Sequence, residues 1–343
     1  MTYLSTGSGA WTEPGAYEVA TGVHRVPLPL PADGLRAINV YVVDTPDGPV
    51  LVDSGWSIPE SRVLLEQALD GLGTSLAEVR RFLVTHVHRD HYTQAVAVRR
   101  EFGTPVGLGE GERPTLAALG GEPRPPFEPQ VDALRRIGAD DVATAIDDLT
   151  REFLLDPALW EPPDQWLRAG PISLGDRTLE AVQTPGHTAG HLVFHDLDAA
   201  LLFAGDHVLP TITPSIGFET VLTPDPLGAF LGSLAVVRSR PDALLLPAHG
   251  PVAPSAHARV DELVDFHGRR LDECLTWVAK GVDTARAVAG ELRWTRREHR
   301  LSGLDPFNAM LAVLETQAHL VLLAAQGRVA LTDVDGVEHV ALR

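Results

Sequence analysis

The sequence predicts an α/β protein with two sheets inside and helices outside, a helical insert, and a C-terminal module of helices closed by a hairpin. Three observations predict it. Short apolar runs separated by turns open the chain, strand and helix signals alternate from residue 59 to 252, and beyond Pro254 the pattern becomes almost wholly helical.

The runs VHRVPL, INVYVVDT and PVLVDSG between Gly22 and Gly55, with the Asp47-Gly48 turn signal, read as an antiparallel start. Residues 59–71 carry a helical period with Val63, Leu64, Ala68 and Leu69 on one face. RRFLVT is a buried strand, and residues 90–102 form a helix for which Asp90 is the expected N-cap. TPVGLG follows as a strand. Residues 111–166 break the rhythm: they are rich in proline and charge, with helical stretches near 130–137 and 140–155, and are expected to form a lid. Phe127, Trp160 and Trp166 are its candidates for apolar contact with a substrate.

Strand signals resume at ISLGDRTLEAVQT, HLVFHD and ALLFAGD, and a helix over 226–238 leads to ALLLPAHG. These place a catalytic domain at 1–253 and a second domain at 254–343, where three helical segments and a hairpin around Asp335-Gly336 fit a winged helix.

With 343 residues and 44% hydrophobic content the chain can fill a large core. Its net charge of -18 opposes binding a polyanion over most of the surface, so nucleic acid is not the favoured partner and a small molecule is. Cys274 is the lone cysteine, the N-terminus lacks a basic and an apolar leader region, and no apolar run suggests a membrane span. The expectation is a soluble, cytoplasmic protein of open oligomeric state, homodimer included. Lys280 is the only lysine, which removes a Walker A loop.

The strongest chemical signal is Thr85-His86-Val87-His88-Arg89-Asp90-His91, directly after a strand and opening a helix. Neutral imidazole nitrogens and carboxylate oxygens are the donors that zinc takes. His187, Asp206 and His249 each follow a predicted strand, and the ends of neighbouring strands converge on one crevice in α/β proteins. His191 and His207 sit beside these motifs as candidates for substrate contact, with support of the ligands from outside or packing the commoner roles for such residues. Trp56, Ile212 and Phe218 are candidates for an apolar pocket, His195, His267 and His319 read as structural, and Arg293, Arg296, Arg297 and Arg300 form a basic cluster on a solvated face or against an acidic partner.

Asp53 in LVDSG, the THVHRDH run, His187 in TPGHTAGH, Asp206 in FAGDH and His249 in PAHG resemble, in order, the five signature motifs of the metallo-beta-lactamase superfamily. The resemblance covers about residues 20–252 and implies a four-layer αββα sandwich. It implies that His86, His88 and His187 hold one metal, that Asp90, His91 and His249 hold a second, and that Asp206 bridges them. Asp53 becomes an outer carboxylate that orients ligands. Two zinc ions are the expected cofactors, with iron or manganese as alternatives. Weaker matches at DPLGAFLGSL, LLPAHGP and ETQAHLVLL resemble the branch that adds a winged helix, whose members include hydroxyacylglutathione hydrolase-like and ribonuclease-like proteins.

Departures narrow the reading. Common zinc beta-lactamases carry Cys in place of Asp206, and diiron flavoproteins carry Glu in place of His88. The relatives that remain include thioesterases, lactonases and nucleases; the resemblance implies hydrolysis by a water bridging two ions about 3.5 to 4 Å apart, and the net charge of -18 with the lid aromatics Phe127, Trp160 and Trp166 favours an ester-type bond, a thioester or lactone. Asp90 is the catalytic candidate able to accept that water's proton, though a ligand first. A phosphodiesterase or ribonuclease is the runner-up; an iron-dependent oxygenase and a non-catalytic DNA-binding regulator stand behind it.

Overall fold

The computed structural model describes residues 10–31, 34–295 and 298–343. The first sheet grows from the alternating runs at the start of the chain. Strand β1 (Tyr17–Ala20), which had no clear sequence signal, pairs antiparallel with β2 (Val23–Pro29), and β2 with β3 (Ala37–Val43) and β3 with β4 (Val50–Val52) follow in the same sense. After helix α1 (Pro59–Gly71) the chain adds β5 (Arg81–Val84) parallel to β4, and after α2 (Arg89–Phe102) it adds β6 (Val106–Gly109) parallel to β5.

Two local expectations are corrected here. In α1 the buried residues are Ser61, Leu65, Ala68 and Leu69, while Val63 is 48% exposed. Steps of four and three residues from 61 follow one helix face, and Val63 lies across the cylinder from Leu65. The N-cap of α2 is His88, not Asp90. Starting the helix one residue earlier leaves the Asp90 carboxylate in the first turn, free to face the neighbouring histidines.

The insert forms α3 (Arg113–Leu119), α4 (Glu128–Arg136) and α5 (Asp140–Thr150), and then contributes β7 (Gln165–Leu167), which pairs parallel with β6 and ends the seven-stranded sheet. The expected lid therefore overlaps the sheet at its C-terminal end. Trp160 is buried in the core outside the first sheet, and Trp166 carries the Arg113 guanidinium 4.2 Å above its ring, so of the three expected lid aromatics only Phe127 joins the aromatic cluster beside the histidines.

The second sheet runs in the order β12-β11-β10-β9-β8. It comprises β8 (Gly170–Ser173), β9 (Thr178–Gln183), β10 (Leu192–Asp196), β11 (Leu201–Gly205) and, after α6 (Pro226–Arg238), β12 (Leu244–Pro247) parallel to β11. Tyr41, Val43, Leu83, Phe194, Phe203 and Leu246 pack between the sheets. Leu28, Val40, Leu65, Phe82 and Tyr92 pack between the first sheet and its helices. The layers are thus α, β, β, α.

The tail forms α7 (Ala256–Ala279), α8 (Ala285–Glu291), α9 (Pro306–Ala325) and the hairpin β13 (Val329–Val334) with β14 (Val337–Leu342). Side chains of Ser255, Thr284 and Asp305 each accept a backbone N–H in the first turn of the helix that follows, as good N-caps do. Insert residues Val131, Leu134 and Ile146 share one core with Leu234 of α6, Leu263 of α7 and Val313 of α9. Helix α9 has the length and apolar composition to cross a membrane, contrary to the reading of the sequence alone, but 61% of its apolar window is buried against these neighbours.

Candidate metal centre

Strand ends bring the site together. Asp53 follows β4, His86 and His88 lie between β5 and α2, His187 follows β9, Asp206 follows β11 and His249 follows β12. Asp90 and His91 come from the first turn of α2. The structure gathers the seven into two groups, His86, His88, His187 and Asp206 in one and Asp90, His91 and His249 in the other, with the donor atoms of each group within 4.8 Å.

In the first group His88 Nδ1 lies 3.0 Å from His86 Nε2 and 3.1 Å from His187 Nε2, and Asp206 Oδ2 is 3.6 Å from His187 Nε2. In the second, Asp90 Oδ2 is 3.4 Å from His249 Nε2 and 3.7 Å from His91 Nε2. The other Asp206 oxygen, Oδ1, is 3.3 Å from His249 Nε2 and 3.7 Å from His91 Nε2. One carboxylate therefore presents an oxygen to each group.

The far nitrogens of the rings are tethered. His187 Nδ1 donates to Ser215 O at 2.8 Å and His249 Nδ1 to Ala37 O at 2.8 Å, which leaves each Nε2 with its lone pair toward the cluster. His91 Nδ1 meets Asp53 Oδ2 at 3.0 Å, and His86 Nδ1 meets Thr85 Oγ1 at 3.0 Å. Asp53 Oδ1 also accepts the Thr85 amide at 2.8 Å and the Thr85 hydroxyl at 2.9 Å. The Asp53 backbone is left-handed, with φ of 59°, a strained conformation that aims the carboxylate at β5 rather than along its own strand.

His191 accepts the Asp206 amide at 3.2 Å on Nε2 and donates from Nδ1 to Thr184 Oγ1 at 2.9 Å, so it positions Asp206 through its backbone. Gly205 makes that approach possible: a Cβ there would sit 2.7 Å from Thr85 Oγ1 and 2.8 Å from His191 Nε2. The His207 ring lies 6.0 Å from that of His191 and 5.1 Å from Phe230 of α6, a packing position one step out from the cluster.

Charge differs between the groups. Burial, followed by neighbouring imidazoles, holds His86 and His88 well below the usual histidine range. Burial would also lower His91 and His249, but the surrounding aspartates outweigh it and raise them to about 9 and about 10. Burial alone would raise Asp206, and the His249 and His91 charges instead hold it well below the carboxylate range. Without a cation the second group relies on imidazole protons to offset its carboxylates, and a metal would replace them.

The residues fit a metal. Asp90 Oδ2, His91 Nε2, Asp206 Oδ1 and His249 Nε2 are buried and make no hydrogen bond, a cost that a cation facing all four would remove. Imidazole and carboxylate donors suit zinc, iron or manganese.

Sequence reasoning missed two supports. Glu112, fully buried, accepts the Thr188 hydroxyl, and Glu219 accepts the Ala189 amide at 2.8 Å. They grip the loop between His187 and His191 from two sides. Burial and the Glu219 charge raise Glu112 to about 8, against the pull of Thr188 and of the Val87 and Gly190 amides, and burial raises Glu219 to about 7. Neither glutamate lies in a recognisable motif, so only the close approach of the 109–112 turn to Gly190 reveals them.

On the rim, the Phe218 ring lies 6.1 Å from that of His88 and packs with Phe127 at 5.8 Å and Phe307 at 5.8 Å, joining the insert, the 206–225 segment and α9. The Arg89 guanidinium sits 4.3 Å above the Trp56 ring, and Ile212 is exposed. His195 accepts from Arg240 at 3.1 Å, away from the centre. Arg293 and Arg300 are exposed, while Arg296 and Arg297 lie outside the described residues.

Residues 33–249 match the family model described as the metallo-beta-lactamase superfamily. The chain is 26% identical over 273 residues to "Probable metallo-hydrolase YflN" of Bacillus subtilis, which covers 73% of this chain and 90% of that protein. It is 26% identical over 246 residues to the atrochrysone carboxyl ACP thioesterase of Aspergillus fumigatus, covering 69% of this chain but only 43% of that relative. A crystal structure of a beta-lactamase domain protein from Burkholderia ambifaria superposes with a TM-score of 0.81 and 27% identity, over 96% of this chain and 94% of its own.

Proposed function

From the premise that the chain belongs to the metallo-beta-lactamase superfamily, and so is a metallo-hydrolase, we propose that it cleaves an ester-type carbonyl compound, a thioester or lactone, with two zinc ions. The observation that carries the two-ion reading is Asp206, whose oxygens face different groups of histidines. His86, His88 and His187 would hold one ion, Asp90, His91 and His249 the other, and Asp206 both. When bound, such ions supply a water of lowered pKa and a Lewis acid for the substrate oxygen.

The remaining chemistry belongs to the chain. Asp53 and Thr85 hold His91 and His86 in fixed orientations, and the carbonyls of Ser215 and Ala37 do the same for His187 and His249. The Asp90 carboxylate, 3.4 Å from His249 Nε2, would accept a proton as well as ligate. Coordination lowers its basicity, so ligation is its first role. Phe218, Phe127 and Phe307 offer an apolar wall beside His88 that would receive the acyl part of a substrate and exclude water. That wall, with a net charge of -18, favours an uncharged acyl compound over a polyanion. The name of the thioesterase relative supports the same class. The tail over 254–343 is assigned on the same footing to a winged-helix-like module.

The test is to load the purified chain with zinc and measure hydrolysis of an acyl thioester, an acyl lactone and single-stranded RNA side by side. Thioester or lactone turnover that a chelator abolishes is expected. RNA cleavage with neither ester turned over would overturn the substrate class, and turnover undiminished in chelator would overturn the metal mechanism.

A further inference from the structure

We propose that the C-terminal helices hold a separate metal site, for a divalent ion of the zinc class, formed by His267 on α7 with Glu315 and His319 on α9. One imidazole nitrogen from each histidine and one carboxylate oxygen lie within 4.8 Å of one another, the same span that encloses each group of the main centre. His267 Nδ1 and His319 Nε2 are 3.1 Å apart, matching the 3.0 and 3.1 Å separations among His86, His88 and His187. Two lone pairs that close require either a shared proton or a shared cation.

Further observations favour the cation. His319 Nδ1 donates to Glu315 O at 2.7 Å, so Nε2 keeps its lone pair, the arrangement that His187 and His249 show. His267 Nε2 is buried without any hydrogen bond, which leaves Nδ1, 3.1 Å from His319 Nε2, as the nitrogen of this ring that would ligate. Burial raises the Glu315 carboxyl to about 7 despite Arg270 nearby. Arg270 acts on Glu315 through its charge, while its hydrogen bonds go to Glu273 at 3.0 Å and Arg293 O at 2.8 Å and its guanidinium lies 4.8 Å above Trp294.

Glu315 and His319 are four residues apart and project from one face of α9 toward α7, the way facing helices build ligand sets in bundle cores. Two imidazoles and a carboxylate form a donor set found for zinc. Such an ion would staple α7 to α9, and α9 carries Phe307 of the aromatic wall. The site lies apart from the main centre: Phe230 stands between His267, at 5.5 Å, and His207, at 5.1 Å.

The full chain, stripped with chelator, is titrated with zinc against a chromophoric chelator, and wild type is compared with Glu315→Gln and His319→Gln. Each variant is expected to bind one equivalent fewer than wild type, whatever number the main centre takes, and to show a smaller rise in melting temperature on adding zinc. Circular dichroism of the stripped forms establishes that they are folded. Equal equivalents in wild type and a folded variant would overturn the site and leave a hydrogen-bonded histidine pair. If a variant does not fold, anomalous scattering at the zinc edge from wild-type crystals decides: a peak between His267 and His319 is expected, and its absence overturns the proposal.

Discussion

Replacing Asp53 by Asn isolates the tether that orients His91. The amide oxygen of Asn can still accept the Thr85 amide and hydroxyl now held at 2.8 and 2.9 Å, so the link to β5 survives. The amide nitrogen then faces His91 Nδ1 where Oδ2 stood at 3.0 Å, and two donors meet. His91 can relieve the conflict only by moving its proton to Nε2, which removes the lone pair from the cluster. Flipping the amide instead sets its NH2 against the Thr85 N–H. A hydrogen bond to a charged group contributes about 1.5–3 kcal/mol, and loss of such outer partners typically weakens metal binding about 10- to 100-fold. The two figures agree, since a tenfold change is about 1.4 kcal/mol. Zinc affinity of Asp53→Asn, read by chelator competition, should fall in that range for the more weakly held ion, with urea unfolding of the stripped protein as the folding control. The imidazole of His91, now raised to about 9 by Asp53, Asp90 and Asp206 against burial, should titrate lower, as followed by NMR. Zinc affinity within about twofold of wild type in a folded variant would refute the tether.

Two other changes probe the loop that carries His187. Gly190→Ala places a Cβ 2.2 Å from the Glu112 amide nitrogen and 2.6 Å from the Gly111 carbonyl carbon, contacts with backbone that cannot yield; a loss of about 3 kcal/mol or more and of bound zinc is expected from thermal melts and metal analysis. Glu112→Gln tests the buried acid. Its carboxyl titrates near 8 folded against 4.5 in the open chain, so its contribution is full below 4.5 and is lost as pH rises to about 8. Urea unfolding of the stripped chain from pH 5 to 8 should show the variant gaining on wild type by roughly 1 kcal/mol per pH unit. Parallel stability profiles would mean that Glu112 is ionised in the fold.

Much of the architecture was legible because local periodicity carries it. The bounds of α1 and α6, strands β2 to β6, and the switch to helix after residue 254 follow from apolar spacing and turn residues. What failed was local phase. Apolar character alone puts Val63 on the buried face of α1, but packing against β2 decides which side is buried, and Asp90 suits a cap by type while His88 occupies that position. Strand β7 hides inside a proline-rich stretch of low apolar content and exists through its pairing with β6.

For the site the sequence by itself determined the ligand types and their short-range order: four donors in THVHRDH, and single donors after three later strands. Only the tertiary structure decided their grouping. Side chains more than 150 residues apart, such as Asp90 and His249, come within 3.4 Å because β5 and β12 end at the same edge of facing sheets. It also decided that His191 holds Asp206 while His207, one residue beyond the aspartate, packs against Phe230. Glu112, Glu219 and the His267–Glu315–His319 cluster come to light the same way. Sequence spacing encodes which residues share a helix face or a strand end, whereas burial and the direction of a lone pair depend on what packs across from them.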